Sequence, residues 1–243
     1  MITWAASDGR ESGGERIVPA ASTIKIFVVS AFWRSGLDPA QRVDVPPVPW
    51  SLADKLAGPL TLGDCALLAL AVSDNAATNV LLARLGFDAV NAEARRLGAE
   101  RTEVRRLMIS DGPENLTCAR DLARGLASID DERVLDALAC AKDSLLPYLL
   151  PGRDVRVKTG ELDTVYHEVA LVDRSLAIAA CSKPAAPPSR PGSWPAIPSI
   201  EGSGTAKGGG EARRYLGRGR CRAHRDPQPL PRAHAKVRLR RSP

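Results

Sequence analysis

Apolar and polar positions along the chain change period twice. Ile2 to Ala6 alternates as a short strand, Asp8-Gly9 and Gly13-Gly14 mark a turn, and Arg16-Ile17-Val18 suits a return strand. After Pro19 the period becomes helical. Ile24, Phe27, Val28 and Ala31 share one face, which predicts a helix opening at Ser22. A proline-rich connector, Val45 to Trp50, follows. Thr61-Leu62-Gly63-Asp64 reads as a capping box, and the helix it starts is apolar on nearly every side through Val72, as a buried central helix is. Asp74 caps a helix from Asn75 to Arg84 that Gly86 stops. Further helices are predicted over Asp88 to Leu97, over Cys118 to Ile129 with Thr117 as cap, and over Asp131 to Cys140. Strand alternation then returns at Val155 to Lys158 and Val165 to Val172, and Asp173-Arg174 turns the chain into Leu176 to Ala180.

Helices thus fill the middle and strands lie at both ends. The fold class read from this order is α/β of the α+β kind: an antiparallel sheet built from both chain ends and packed with helices, plus an inserted all-helical domain. The folded domain is expected over 1–183, its helical part over about 22–147 and its sheet from about 1–21 and 153–182. Residues 184–243 lose every apolar period and are rich in Pro, Gly, Ser and Arg, the composition of a disordered tail.

Charge sharpens that division. The whole chain of 243 residues carries +6, but residues 205–243 hold twelve Lys or Arg and two acids, an excess of ten positive charges that leaves the remainder at −4. The basic balance therefore belongs to the tail. Without interleaved aromatic residues for base stacking, it contains no clear nucleic-acid module. Apolar residues make up 44% and aromatic ones 4%, so the core must be built from Leu, Ala and Val. The five cysteines (65, 118, 140, 181 and 221) include no C-x-x-C pair and read as buried or incidental free thiols. His167, His224 and His234 form no ligand cluster with them, and neither a metal nor a cofactor is expected. No apolar run is long enough for a membrane span, and Met1 to Arg10 lacks the make-up of a secretory leader, so the chain as written reads as cytoplasmic.

Three strings carry chemistry. In Ser22-Thr23-Ile24-Lys25, a serine in a first helical turn shares a face with a lysine at i+3. A lysine whose pKa is lowered by burial can take the hydroxyl proton, and the helix start aims N–H groups where an oxyanion would form. In Ser73-Asp74-Asn75, Asp74 caps, while Ser73 and Asn75 can project into a cleft as a proton shuttle and a substrate-orienting amide. In Lys158-Thr159-Gly160, a cation and a hydroxyl at a strand end can hold a carboxylate. The glycine there admits another backbone, and the Glu161 N–H is a natural second oxyanion donor. Alone, each string also fits a structural role: a capping serine with a surface lysine, a helix cap, a strand end.

In this order the strings match the signature of class A β-lactamases and penicillin-binding proteins. Pro19 to Lys25, Ser73 to Asn79 and Lys158 to Asp163 resemble the class A β-lactamase and β-lactamase-related serine hydrolase family of the penicillin-binding-protein-like transpeptidase superfamily, over residues 17–182. The family's opening and closing helices are not visible, so the chain resembles a form truncated at both ends. The resemblance implies a hydrolase that passes through an acyl-enzyme, with antibiotic resistance as its setting and the periplasm or exterior as its usual compartment. Ser22 would be acylated, Lys25 would be a base and Ser73 a proton relay. Asn75 would orient substrate, and Lys158, Thr159, Gly160 and Glu161 would bind it. The implied partner is a small β-lactam or a peptide-like amide or ester. One departure stands out: Met108 falls where the family carries the glutamate of its E-x-x-L-N pattern, with Glu103 and Glu114 as other carboxylates nearby in sequence. The alternative reading is a non-catalytic or truncated penicillin-recognising remnant that forms at most a stable acyl adduct.

Overall fold

The computed structural model describes residues 1–56, 58–141 and 143–182; the expected tail lies outside them. In chain order come β1 (Ile2–Ala6), β2 (Glu11–Ser12), β3 (Val18–Pro19), a 3-10 turn at Ala21–Ile24 and α1 (Lys25–Arg34). Then follow β4 (Arg42–Val43), β5 (Leu60–Thr61), α2 (Leu62–Ala71), α3 (Asn75–Leu85) and α4 (Phe87–Arg96). The remainder is β6 (Leu116–Thr117), α5 (Ala119–Ala127), α6 (Glu132–Ala139), α7 (Leu146–Leu149), β7 (Val155–Leu162), β8 (Val165–Val172) and β9 (Leu176–Ser182).

Both ends of the described residues meet in one antiparallel sheet of order β2-β1-β9-β8-β7, as the strand pattern predicts. Its register follows from burial. Val169 faces Ala179 and Leu171 faces Ala177 across β8 and β9, and all four enter the main core. A one-residue slip would turn them out of it. Val157 and Ala170 point the other way, into a smaller cluster with Val155 and Ala141 that Leu146 and Leu150 cover.

Helices α1, α2 and α3 pack on one another, and α5 lies against β1, β8 and β9. With few aromatic residues the core relies on close approach of small side chains. A Cβ on Gly125 of α5 would stand 2.5 Å from Phe27 Cε1, so only glycine there admits the ring of Phe27.

Local signals hold at several helix ends. Thr61 and Asp64 form the capping box of α2, Asp74 caps α3 through Ala77 N, and Gly86 ends α3 at φ +76°. Three expectations are corrected. The partner of β1 is Glu11–Ser12, while Val18 pairs with Thr117 of β6, far along the chain. Thr117 caps nothing, because its hydroxyl pairs with Thr102 Oγ1 at 2.9 Å. The α-helix expected at Ser22 opens at Lys25, and α7 is an additional short helix. As expected, Cys65, Cys118 and Cys181 are buried free thiols.

Candidate active site

The turn that carries Ser22 is fixed before it begins. Ala20 N donates to Asn115 O at 2.7 Å, and Pro19 pairs with Leu116 in the β3–β6 ladder. Buried His167 lies 2.7 Å from Pro19 O through Nε2. A carbonyl only accepts, so Nε2 carries the proton; burial lowers the pKa and favours the neutral ring. The sequence offered no role for this histidine beyond its place after an apolar strand start. Ala21 then adopts φ +48°, a left-handed conformation that costs a non-glycine residue about 1–3 kcal/mol and is held by its surroundings. This reversal is why Ser22 sits in a tight 3-10 turn, half-buried, with the α-helix starting only at Lys25.

Lys25 is 0% exposed. Its Nζ donates to Ser73 O at 2.5 Å and Asn75 Oδ1 at 2.8 Å, and lies 3.1 Å from Ser73 Oγ. Burial, and next the positive charge of Lys158, hold its pKa well below the usual lysine range; Asp74 and Asp143 oppose them in part. A neutral amine has two N–H groups for the two close acceptors and keeps a lone pair for a proton. The structure thus brings Ser73 and Asn75 together around Lys25.

Asp74 does more than cap. Its Oδ1 accepts from Ala77 N at 2.8 Å, and its Oδ2 accepts from Leu52 N at 2.6 Å and Ala53 N at 3.0 Å. One buried carboxylate thereby fastens the connector at 52–53 to the start of α3. Ser73, forced to φ +57°, is presented beside it.

On the sheet side, Gly160 of β7 presses against the serine turn: a Cβ there would lie 3.0 Å from Ser22 N and from Thr23 N. Lys158 is also 0% exposed, and burial lowers its pKa to about 8 against the pull of Asp143. The pair expected to hold a carboxylate already faces one. Thr159 Oγ1 donates to Asp143 Oδ2, which lies 3.7 Å from Lys158 Nζ; that Nζ also donates to Thr159 O at 2.8 Å. The next residue, Ser144, donates through its hydroxyl to Glu168, the cross-strand partner of Thr159, whose carboxyl burial pushes up. Sequence reading missed Asp143, for which the only local hint is the Asp-Ser pair before a leucine-rich turn. Glu161 is exposed, opposite Tyr166 in the ladder.

Met108 is 8% exposed and belongs to the core. Its backbone is clamped by one amide: Met108 N donates to Asn79 Oδ1 at 2.7 Å, and Asn79 Nδ2 donates to Met108 O at 3.0 Å. Glu103 pairs with Arg105, and Glu114 with Arg106. Among the described residues no group of His, Cys, Asp and Glu could hold a metal ion, and no helix is long and apolar enough to cross a membrane.

Comparison with known proteins agrees with this fold. A sequence model described as "Beta-lactamase enzyme family" matches residues 6–192. No curated protein matches the sequence. Among solved structures, the chain is similar to a class A β-lactamase from Mycobacterium abscessus, at TM-score 0.69 and 22% identity over 78% of this chain and 86% of that one. It is also similar to an ancestral class A β-lactamase (GNCA), at TM-score 0.66 and 22% identity over 75% and 85% of the two chains. A third, a β-lactamase from Sphaerobacter thermophilus DSM 20745, has TM-score 0.64 and 26% identity over 75% and 81%.

Proposed function

The chain belongs to the β-lactamase enzyme family, and from that premise we propose that it is a serine hydrolase that opens β-lactams or related amides and esters through acylation of Ser22. The observation that carries this reading is Lys25. It is a wholly buried lysine one turn after Ser22, with a strongly lowered pKa and its Nζ against Ser73 and Asn75.

In the proposed reaction Lys25, as the free amine, takes the Ser22 Oγ proton while Oγ attacks the carbonyl carbon. The oxyanion is received by N–H groups at Ser22 and Glu161. As the C–N or C–O bond breaks, Ser73 passes a proton from Lys25 to the leaving atom, and the acyl group stays on Ser22. Asn75 orients the substrate amide, and Lys158 with Thr159 borders the far end of the site. Water then releases the acid.

A second reading is favoured by one observation: a buried methionine, not a glutamate, stands at 108. No carboxylate there can activate the deacylating water, which favours a lasting acyl adduct. One experiment separates the two. The full chain and its Ser22→Ala variant are incubated with benzylpenicillin and, in parallel, with p-nitrophenyl acetate, and intact mass is followed over time. A transient Ser22 adduct with accumulating product identifies an enzyme, and a lasting adduct identifies a covalent binder. Neither adduct nor turnover with either compound would refute both.

A further inference from the structure

We propose that Asp143 is a specificity-determining residue: it fills the anchor formed by Lys158 and Thr159, and so selects acyl donors that carry no carboxylate beside the reacting carbonyl. This inference rests on the serine-hydrolase reading and narrows its substrate class to neutral or cationic esters and amides.

The geometry is that of an internal ligand. Thr159 Oγ1 donates to Asp143 Oδ2, and the same oxygen makes the only ion pair of Lys158 among the described residues, at 3.7 Å. These are the cation and the hydroxyl that would otherwise hold a substrate carboxylate. The placement of Asp143 is no free surface rotamer. Ser144 is buried, its hydroxyl donates to Glu168 Oε1, and it accepts from Leu146 N at 3.0 Å. The backbone entering α7 is therefore fastened to β8 immediately beside Asp143.

Electrostatics and competition then act in one direction. Lys158 and Asp143 together are neutral, so a bound substrate carboxylate would leave an excess negative charge close to Glu168. It would also have to displace an aspartate tethered in place, whose effective concentration is on the order of millimolar or above. A neutral ester or amide faces neither obstacle. The Asp143 side chain is 40% exposed, which leaves it able to accept from an N–H or O–H donor on such a substrate.

The test reads binding, not turnover. In the full chain carrying Ser22→Ala, affinities for benzylpenicillin and for its methyl ester are measured by ligand-observed NMR, with and without Asp143→Asn or Asp143→Ser. The expected result is that the parent prefers the ester, and that either substitution tightens the acid by about tenfold while changing the ester by less than about threefold. Thermal melting of each variant confirms that it is folded. A parent that prefers the acid, an acid-to-ester ratio unmoved by both substitutions, or binding of neither compound would overturn the inference. Failure of the serine-hydrolase reading shows elsewhere, as the absence of any Ser22 adduct in the chain that keeps its serine.

Discussion

A Cβ on Gly160 would stand 3.0 Å from the backbone nitrogen of Ser22, tighter than nine in ten real Cβ contacts. Strand β7 therefore lies backbone-to-backbone against the turn of the proposed nucleophile, and the third residue of Lys158-Thr159-Gly160 is glycine for that steric reason. Thr23 N and Thr23 Cγ2 lie equally close, so neither side can yield by rotating a side chain alone. Gly160→Ala is expected to push β7 off the turn, lowering stability by about 1–3 kcal/mol. Because the oxyanion donors move apart, Ser22 acylation should fall by about a hundredfold or more. Chemical denaturation and the rate of adduct formation check the two effects; unchanged acylation in a folded variant would refute the proposed oxyanion site.

The Asp74 carboxylate accepts from three backbone N–H groups in two segments. Asp74→Ala leaves all three without this acceptor, those of Ala53 and Ala77 in a buried setting, and is expected to cost roughly 3 kcal/mol or more, well beyond the ordinary loss of a helix cap. Asp74→Asn keeps acceptors at reduced strength and should recover part of the loss. Urea denaturation of the three proteins decides this: equal stability of the aspartate and alanine forms would show that the clamp contributes nothing.

In the proposed role of base, Lys25 must first lose its proton. The positive charge of Lys158 lowers its pKa, and the negative charge of Asp143 raises it. Removing the first charge with Lys158→Met should therefore move the acid limb of Ser22 acylation to higher pH. Removing the second with Asp143→Asn should move it to lower pH. Labelling of Ser22 by p-nitrophenyl acetate, followed from about pH 5 to pH 10, reads both displacements. Shifts of the same sign, or none in either variant, would remove Lys25 from the role of base.

These residues also show where a sequence discloses a site and where it does not. Ser22, Lys25, Ser73, Asn75 and Lys158 to Gly160 lie in strings whose spacing is fixed by one helical turn, one cap or one strand end, so short-range reading finds them. Asp143 acts on Thr159 from a loop between two helices, and nothing at short range signals that contact. The same limit explains β3. Val18 does form a strand, but its partner Thr117 is far off in the chain, and the nearer Glu11–Ser12 takes the place beside β1. Thr117 precedes a helix, as a cap does, yet its hydroxyl had already been claimed by Thr102. Left-handed Ala21, which delays α1 to Lys25, has no local signal, because alanine ordinarily avoids that conformation.

Met108 bears on whether the acyl group leaves. Asn79 grips its backbone on both sides, so position 108 is held firmly whatever side chain it carries. Met108→Glu would place a carboxylate where the sequence resemblance puts the family's water-activating glutamate. The adduct formed with benzylpenicillin is then expected to decay at least about tenfold faster than in the parent chain, at comparable rates of acylation. Met108→Gln matches the glutamate in size but has no ionisable oxygen, and should leave the decay unchanged. Burying a carboxylate at so enclosed a position also lowers stability by roughly 1–3 kcal/mol, which thermal melting detects independently. The decisive measurement is intact mass against time after free penicillin is removed. Faster decay in the glutamate variant alone assigns the slow step to the missing base, whereas equal acceleration by glutamine would attribute it to loosened packing around residue 108.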